Sequence, residues 1–153
     1  MTDSNAHRSQ AILRMPVDHV DATMILHDGE RSEVILLLSP GDHAADVMVG
    51  GDEFLPVMRD AKICLVARDA IAALGLQRRP LTTLGEEMPH ETQRATIKLR
   101  SGMMLEGELR WPLVDGKRRT VDYLKSSPRY IELRAQDKSW FVAKAHLAYV
   151  QEM

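Results

Sequence analysis

Residues 95–111 read ATIKLRSGMMLEGELRW, and their pattern decides the fold class. Ile97 and Leu99 alternate with Thr96, Lys98 and Arg100, the period of two that sends successive side chains to opposite faces of a half-buried strand. Ser101-Gly102 supplies a turn, because Gly adopts φ > 0 without a Cβ clash. The alternation then resumes, with Leu105, Gly107, Leu109 and Trp111 on one face and Met104, Glu106, Glu108 and Arg110 on the other. A Gly within a strand marks a bend or a close backbone approach, so Gly107 predicts a sharply curved second strand. A hairpin of this kind suits a small, strongly curved barrel.

A fainter copy of the stretch lies at 22–38, ATMILHDGERSEVILLL. A shift of 73 residues sets Ala22-Thr23 on Ala95-Thr96, Leu26 on Leu99, Gly29 on Gly102, Glu33 on Glu106 and Leu36 on Leu109. Three extra residues, 116–118, raise the shift to 76 and set Asp46 on Asp122, Phe54 on Tyr130 and Lys62 on Lys138. Under the same shift Val66 meets Val142, Ala67 meets Ala143, Arg68 meets Lys144 and Ile71 meets Leu147. Self-similarity held across one gap predicts an internal repeat. The reading divides the chain into an N-terminal arm (1–19), a first β-barrel unit (20–76), a linker (77–93) and a second β-barrel unit (94–153). Units of this size bury little surface by themselves, so the halves are expected to pack on each other or on a partner.

Each unit carries the same order of signals. In the first, 34–38 is a continuous apolar run, 43–49 a helical turn, 54–58 and 62–67 strands, and 68–74 a further short strand or turn. Pro56 points its strand towards a sheet edge. In the second, Thr120 is placed to cap a helix over 121–125, followed by strands at 130–134, 139–143 and 146–151. The linker, with Pro80, Gly85 and Pro89, shows no periodicity.

The net charge of −2 conceals an imbalance: residues 1–75 carry −6 and residues 93–153 carry +5. Opposite signs on similar units favour mutual pairing, or an acidic partner for the second. No apolar run approaches the ~18 residues of a membrane span, and the polar start lacks a signal-peptide core. Cys64, the only cysteine, leaves no intrachain disulfide and reads as a buried small hydrophobe. The expected location is the cytoplasm, or the inner-membrane periphery through a partner.

Strand, turn, bent strand, loop with a helical turn, then three short strands is an order that resembles the Sm-like, or SH3-like, small barrel. Thr96, Ile97, Leu99, Gly102, Leu105, Gly107 and Leu109 match the first Sm-like motif, and Val142, Lys144, Leu147 and Val150 echo the second. The order is similar to that of the bacterial Sm-like RNA-chaperone family, and the chain as a whole most resembles uncharacterised bacterial proteins with paired small β units, for which the resemblance implies no activity. The first unit keeps Gly29, Val66, Arg68 and Ile71 but has Val34 in place of the bent-strand Gly. The family's Lys-His pair becomes Lys144-Ala145 in the second unit and Arg68-Asp69 in the first. The resemblance implies single-stranded RNA recognition through those basic positions, which this chain keeps only in part.

No catalytic constellation is visible. The six histidines form neither an HxH nor an HExxH pair. No serine sits in a GxSxG setting, and no Gly-rich loop is placed to cradle phosphate. Glu106 and Glu108 share a strand face and read as solvated charge, while Asp46 and Asp122 read as helix-turn caps. No enzyme activity, cofactor or metal is expected. The candidate contact residues are Lys117, Arg118 and Arg119 with Lys125, Arg129 and neighbouring Trp111, a basic patch beside an aromatic. Met103 and Met104 at the hairpin turn add an adaptable surface if exposed. The expected function is a non-catalytic protein–protein interaction module: an accessory, scaffold or stabilising subunit of a larger assembly, including a membrane-bound one touched from its cytoplasmic side. The alternative is an Sm-like single-stranded nucleic-acid binder, against which a pI near 6.3 weighs.

Overall fold

A computed structural model describes residues 17–78, 90–113, 119–127 and 129–153. Most of the arm, the central part of the linker, and Lys117 and Arg118 fall outside the described residues.

The chain is mainly β. In order it forms β1 (Asp18–Leu26), β2 (Arg31–Leu38), a 3-10 turn (Ala44–Met48), β3 (Phe54–Arg59), β4 (Lys62–Ala67), a second 3-10 turn (Arg68–Ala70) and β5 (Ile71–Gln77). Then follow β6 (His90–Leu99), β7 (Met104–Pro112), α1 (Thr120–Ser126), β8 (Tyr130–Arg134), β9 (Lys138–Ala143), a third 3-10 turn (Lys144–His146) and β10 (Leu147–Glu152). Among the described residues, all ten strands belong to one antiparallel sheet in the order β10-β6-β7-β8-β9-β5-β1-β2-β3-β4. The sheet does not close, so β4 and β10 are its two ends. Where two closed barrels were expected, the strands run on from one half into the other, because β5 pairs with β9 from Ala73↔Val142 to Gln77↔Lys138.

The 95–111 hairpin forms as its alternation requires. Ile97 pairs with Leu105, Thr96 with Glu106 and Ala95 with Gly107. Leu105, Leu109 and Trp111 are buried on the inner face. Strand β6 starts at His90, inside the stretch read as linker, because residues 90–93 continue the ladder against Pro112, Trp111, Arg110 and Leu109. Likewise β1 begins at Asp18, within the arm, paired with Leu38.

The two halves carry matching hydrogen bonds at the spacings seen in the sequence. Gly29 N donates to Leu26 O and Gly102 N to Leu99 O, each at 2.9 Å, with φ of +93° and +98° at the two glycines. His27 N donates to Ala70 O and Arg100 N to His146 O, each at 2.8 Å. Arg68 N donates to Glu53 O as Lys144 N donates to Arg129 O. Strand pairings correspond as well: β1–β2, β2–β3, β3–β4 and β1–β5 in the first half, β6–β7, β7–β8, β8–β9 and β6–β10 in the second.

The core lies in two clusters exchanged between the halves. Ile25, Ala72 and Ala73 of the first half pack with Ile97, Leu109, Ile131, Leu133, Trp140 and Val142 of the second. Phe141 of the second half packs with Met24, Leu36, Val57, Ile71 and Leu74 of the first. The middle strands β1, β5 and β9 thus feed side chains into both clusters, and residues 22–25 and 71–75 are buried on both faces. Pro56, expected at an edge, lies in β3 between β2 and β4. The β2 ladder reaches only Val57 and Met58, so the missing N–H falls beyond it. Helix α1 takes Arg119, not Thr120, as its N-cap; Thr120 is its buried first residue.

Candidate interaction edges

An end strand presents a row of unpaired backbone N–H and C=O groups, a ready template for another strand. Natural edges are commonly blunted by charge, proline or bulges; β10 has a register shift between Leu147 and Tyr149 and β4 begins with Lys62, yet both ends also carry exposed apolar side chains. Leu65 of β4 is 60% exposed and Tyr149 of β10 is 42% exposed. Phe54, opposite Ala67 at the start of β3, is 54% exposed. Cys64, expected as a core residue, is a half-buried free thiol on the β4 edge. The residues that the 76-residue shift sets on Leu65 and Tyr149, Phe141 and Ala73 in the middle of the sheet, are buried.

How such edges join is visible at the β5–β9 junction. Gly75 opposes Trp140, and a Cβ on Gly75 would sit 2.8 Å from the Trp140 ring. The absent side chain is what lets the indole lie flat across the neighbouring strand. Lys138 Nζ donates to Thr23 Oγ1 at 2.7 Å, and Thr23 Oγ1 donates to the Glu33 carboxylate at 2.9 Å. Thr23 is 1% exposed, so this chain of bonds satisfies a buried hydroxyl while tying the halves together. The Lys138 ammonium and the Arg31 guanidinium lie 5.6 Å and 5.5 Å from the centre of the Trp140 ring, within cation–π range. None of these side chains stood out as functional in the sequence. The only available signal was that Thr23, Glu33 and Lys138 have residues of their own type, Thr96, Glu106 and Lys62, at the shifted positions.

The basic patch divides. Trp111 is buried and stacks on Tyr123, with ring centres 5.2 Å apart and planes 8° apart. It is part of the core, not an aromatic presented beside the loop, because it continues the inward face of Leu105 and Leu109. Arg119 is exposed and pairs with Asp122 at 3.2 Å. That hydrogen bond and charge lower the Asp122 carboxyl and raise the guanidinium. Asp122 also accepts the Arg119 backbone N–H, so its expected capping role is fulfilled. Lys125 is exposed in the last turn of α1, where a cation suits the helix dipole. Met104 is 51% exposed, and Met103 packs against the core.

Burial raises the Tyr123 phenol above its ordinary range, and its Oη accepts the Glu132 backbone N–H at 3.1 Å. The folded chain therefore holds this proton more tightly than the unfolded chain. Stability from the group is complete below the usual tyrosine value of about 10 and is lost as pH rises through the higher folded value. Tyr123→Phe is expected to cost about 1 kcal/mol at neutral pH through the orphaned Glu132 N–H and to soften the alkaline loss of stability. Urea midpoints at neutral pH and above pH 10 check both; an unchanged alkaline limb contradicts the assignment.

Arg129 lines a cleft of about 590 Å3 at the junction with Arg68, Asp69, Lys144 and His146. Lys144 donates to the carbonyls of Leu124 and, at 2.8 Å, Ser127, closing the end of α1. His146 Nε2 lies 2.6 Å from Asp69 O. Arg68 Nε donates to Asp52 O at 2.5 Å, while its Nη1 is shielded from solvent with no hydrogen-bond partner among the described residues. Among the described residues no three His, Cys, Asp or Glu side chains are grouped to hold a metal ion, and no helix is long and apolar enough to cross a membrane. Comparison of the chain with protein-family models, curated proteins and solved structures gives no match.

Proposed function

We propose that this is a non-catalytic interaction protein, built as two tandem Sm-like β units from a duplicated sequence and serving as an accessory, scaffold or stabilising subunit of a larger assembly. The observation that carries the reading is the pair of open sheet ends, β4 and β10, with Leu65 and Tyr149 exposed on them. An assembly that includes membrane proteins, reached from the cytoplasmic side, suits the exposed cations Arg119, Lys125 and Arg129. The chain tagged at its native locus is expected to purify with other protein species in fixed stoichiometry. Leu65→Lys and Tyr149→Lys are expected to release at least one of them while leaving the circular dichroism spectrum unchanged. A chain that elutes alone at every salt concentration contradicts the reading.

The cleft gives a second reading some support, since Arg68, Arg129 and Lys144 bring positive charge to one place, offset in part by Asp69. Single-stranded RNA held there would bind with an affinity that falls steeply with salt and with Arg129→Glu. Lys144, already bonded to the end of α1, weakens this alternative.

A further inference from the structure

We infer that the outer face of the first half is a docking site for the chain's own N-terminal arm, residues 11–16 crossing the end of β2 and lying over β3 and β4. The site is an apolar face with an acidic rim, and its ligand is an apolar segment carrying one cation. A strap on this face leaves the β4 backbone edge open, so it is independent of the interaction reading.

Strand alternation gives the first half a second apolar side. Leu36, Leu55 and Val57 point into the first-half core, with Cys64 and Val66 packed against it. The residues between them point the other way. Ile35 opposes Met58, and Met58 opposes Ile63; Pro56 opposes Leu65, and Phe54 opposes Ala67. Directly opposed residues share a face. With Leu37, two residues on from Ile35, they make an apolar surface across three strands, and none of them belongs to either core cluster. Leu37 is buried, while Phe54 and Leu65 stay exposed. The second half has the same strands without this surface. At the shifted positions Ile35, Leu37, Pro56, Met58 and Ile63 become Glu108, Arg110, Glu132, Arg134 and Ser139. The fold therefore does not require an apolar outer face, and a contiguous one marks a contact surface.

The arm starts at the right place. Asp18 opposes Leu38, whose side chain is in the first-half core, so alternation sets the preceding residue, Val17, towards the outer face. Strand β4 lies three strand spacings from β1, about 14 Å, and residues 11–16 extended span about 20 Å. Where the arm leaves β1, a cleft of about 330 Å3 lined by Leu37, Leu38 and Phe54 opens at the head of the face. Asp42, Asp46 and Asp52 bring negative charge to it, offset in part by Arg68, whose Nε donates to Asp52 O. The arm's chemistry is complementary: Ile12, Leu13 and Met15 are apolar and Arg14 is a cation. Residues 1–75 carry −6, and the arm's share, Arg8 and Arg14 against Asp3, is +1, so residues 17–75 carry −7. The repeat adds a comparison. Residues 84–89 read LGEEMP where 11–16 read AILRMP, the Met-Pro pair keeping the 73-residue shift. Ile12, Leu13 and Arg14 become Gly85, Glu86 and Glu87, just as the outer face changes from apolar to charged. The segment ahead of each half and the face of that half change together.

The test is paramagnetic relaxation in the full chain, with Cys64→Ser and a nitroxide attached through Gln10→Cys. The label is expected to broaden the amides of β3 and β4 and to leave those of 106–110 and 132–134 in the second half sharp. Leu13→Asp together with Met15→Asp should abolish the broadening and lower the melting temperature by about 3–6 °C, the effect of uncovering apolar surface. Arg14→Glu should remove part of the broadening, more at low salt than at high salt. Sharp β3 and β4 amides overturn the inference, and so does broadening that survives the paired aspartates, which would mean an arm that is tethered without docking. Mixing a nitroxide-bearing chain in natural isotopes with an unlabelled-arm chain in 15N should leave every amide sharp. Broadening in that mixture gives the face to a second copy and overturns docking within one chain. If the arm does not dock yet the cellular complex depends on Leu65, the interaction reading stands alone. If the arm docks and the chain purifies with no second protein, the docking stands and the interaction reading fails.

Discussion

Trp140→Ala is expected to lower the free energy of unfolding by about 3–5 kcal/mol, the range for removing a large buried aromatic. The indole is 5% exposed, belongs to the second-half core, and lies against Gly75 of the first half. Its loss opens a cavity at the point where the halves are joined and removes the ring that Arg31 and Lys138 approach. The converse change, Gly75→Val, drives new atoms into the ring and is expected to cost about 1–3 kcal/mol as overpacking. The two together should be less damaging than their sum, by about 1 kcal/mol or more, because the valine would enter the vacated space. Urea unfolding of the four species measures the coupling. Strict additivity would mean that the ring and the glycine do not depend on each other.

Gly107→Ala is the second large effect. A Cβ at this position would lie 2.5 Å from the Arg134 carbonyl oxygen and 3.0 Å from Leu133 Cγ. The obstacle is mainly backbone, so no side-chain rotation relieves it. Strand β8 would have to move off β7, to which it is joined through Glu108↔Arg134 and Leu109↔Leu133. The cost is expected to be about 2–3 kcal/mol, a fall in melting temperature of about 5–10 °C for a chain of this length. Thermal unfolding followed by circular dichroism checks it. Val34, 73 residues before Gly107, is buried without trouble in β2. The constraint therefore belongs to the β7–β8 approach and not to the position in general. A neutral Gly107→Ala would contradict the contact.

Much of the local structure was legible because it has local causes. The period-two pattern of 95–111, its turn glycine and the inward face ending at Trp111 are properties of neighbouring residues. Trp111 was nevertheless read as a contact residue for its nearness to Lys117, although its own alternation with Leu105 and Leu109 points it inward. The closing of Lys144 on α1 could not be read, since it joins residues brought close only by the folded chain. The continuity of the sheet was hidden for the same reason. Nothing in β5 or β9 alone says that they pair, and long-range pairing leaves no short-range signature. Burial of β1 and β5 on both faces does show in the sequence, as apolar runs without alternation. The candidate edges were legible only in retrospect: Leu65 and Tyr149 look like core residues until the sheet order leaves β4 and β10 at its ends.

The most direct measurement of the central claim, that the open ends β4 and β10 are contact surfaces, is amide hydrogen exchange of the chain alone and in the complex that purifies with it. In the chain alone the amides of β5 and β9 are expected to be protected to near the global limit, while those of β4 and β10 that point away from the sheet exchange freely. In the complex, β4 or β10 should gain protection. If neither does while the chain remains folded, the account is contradicted.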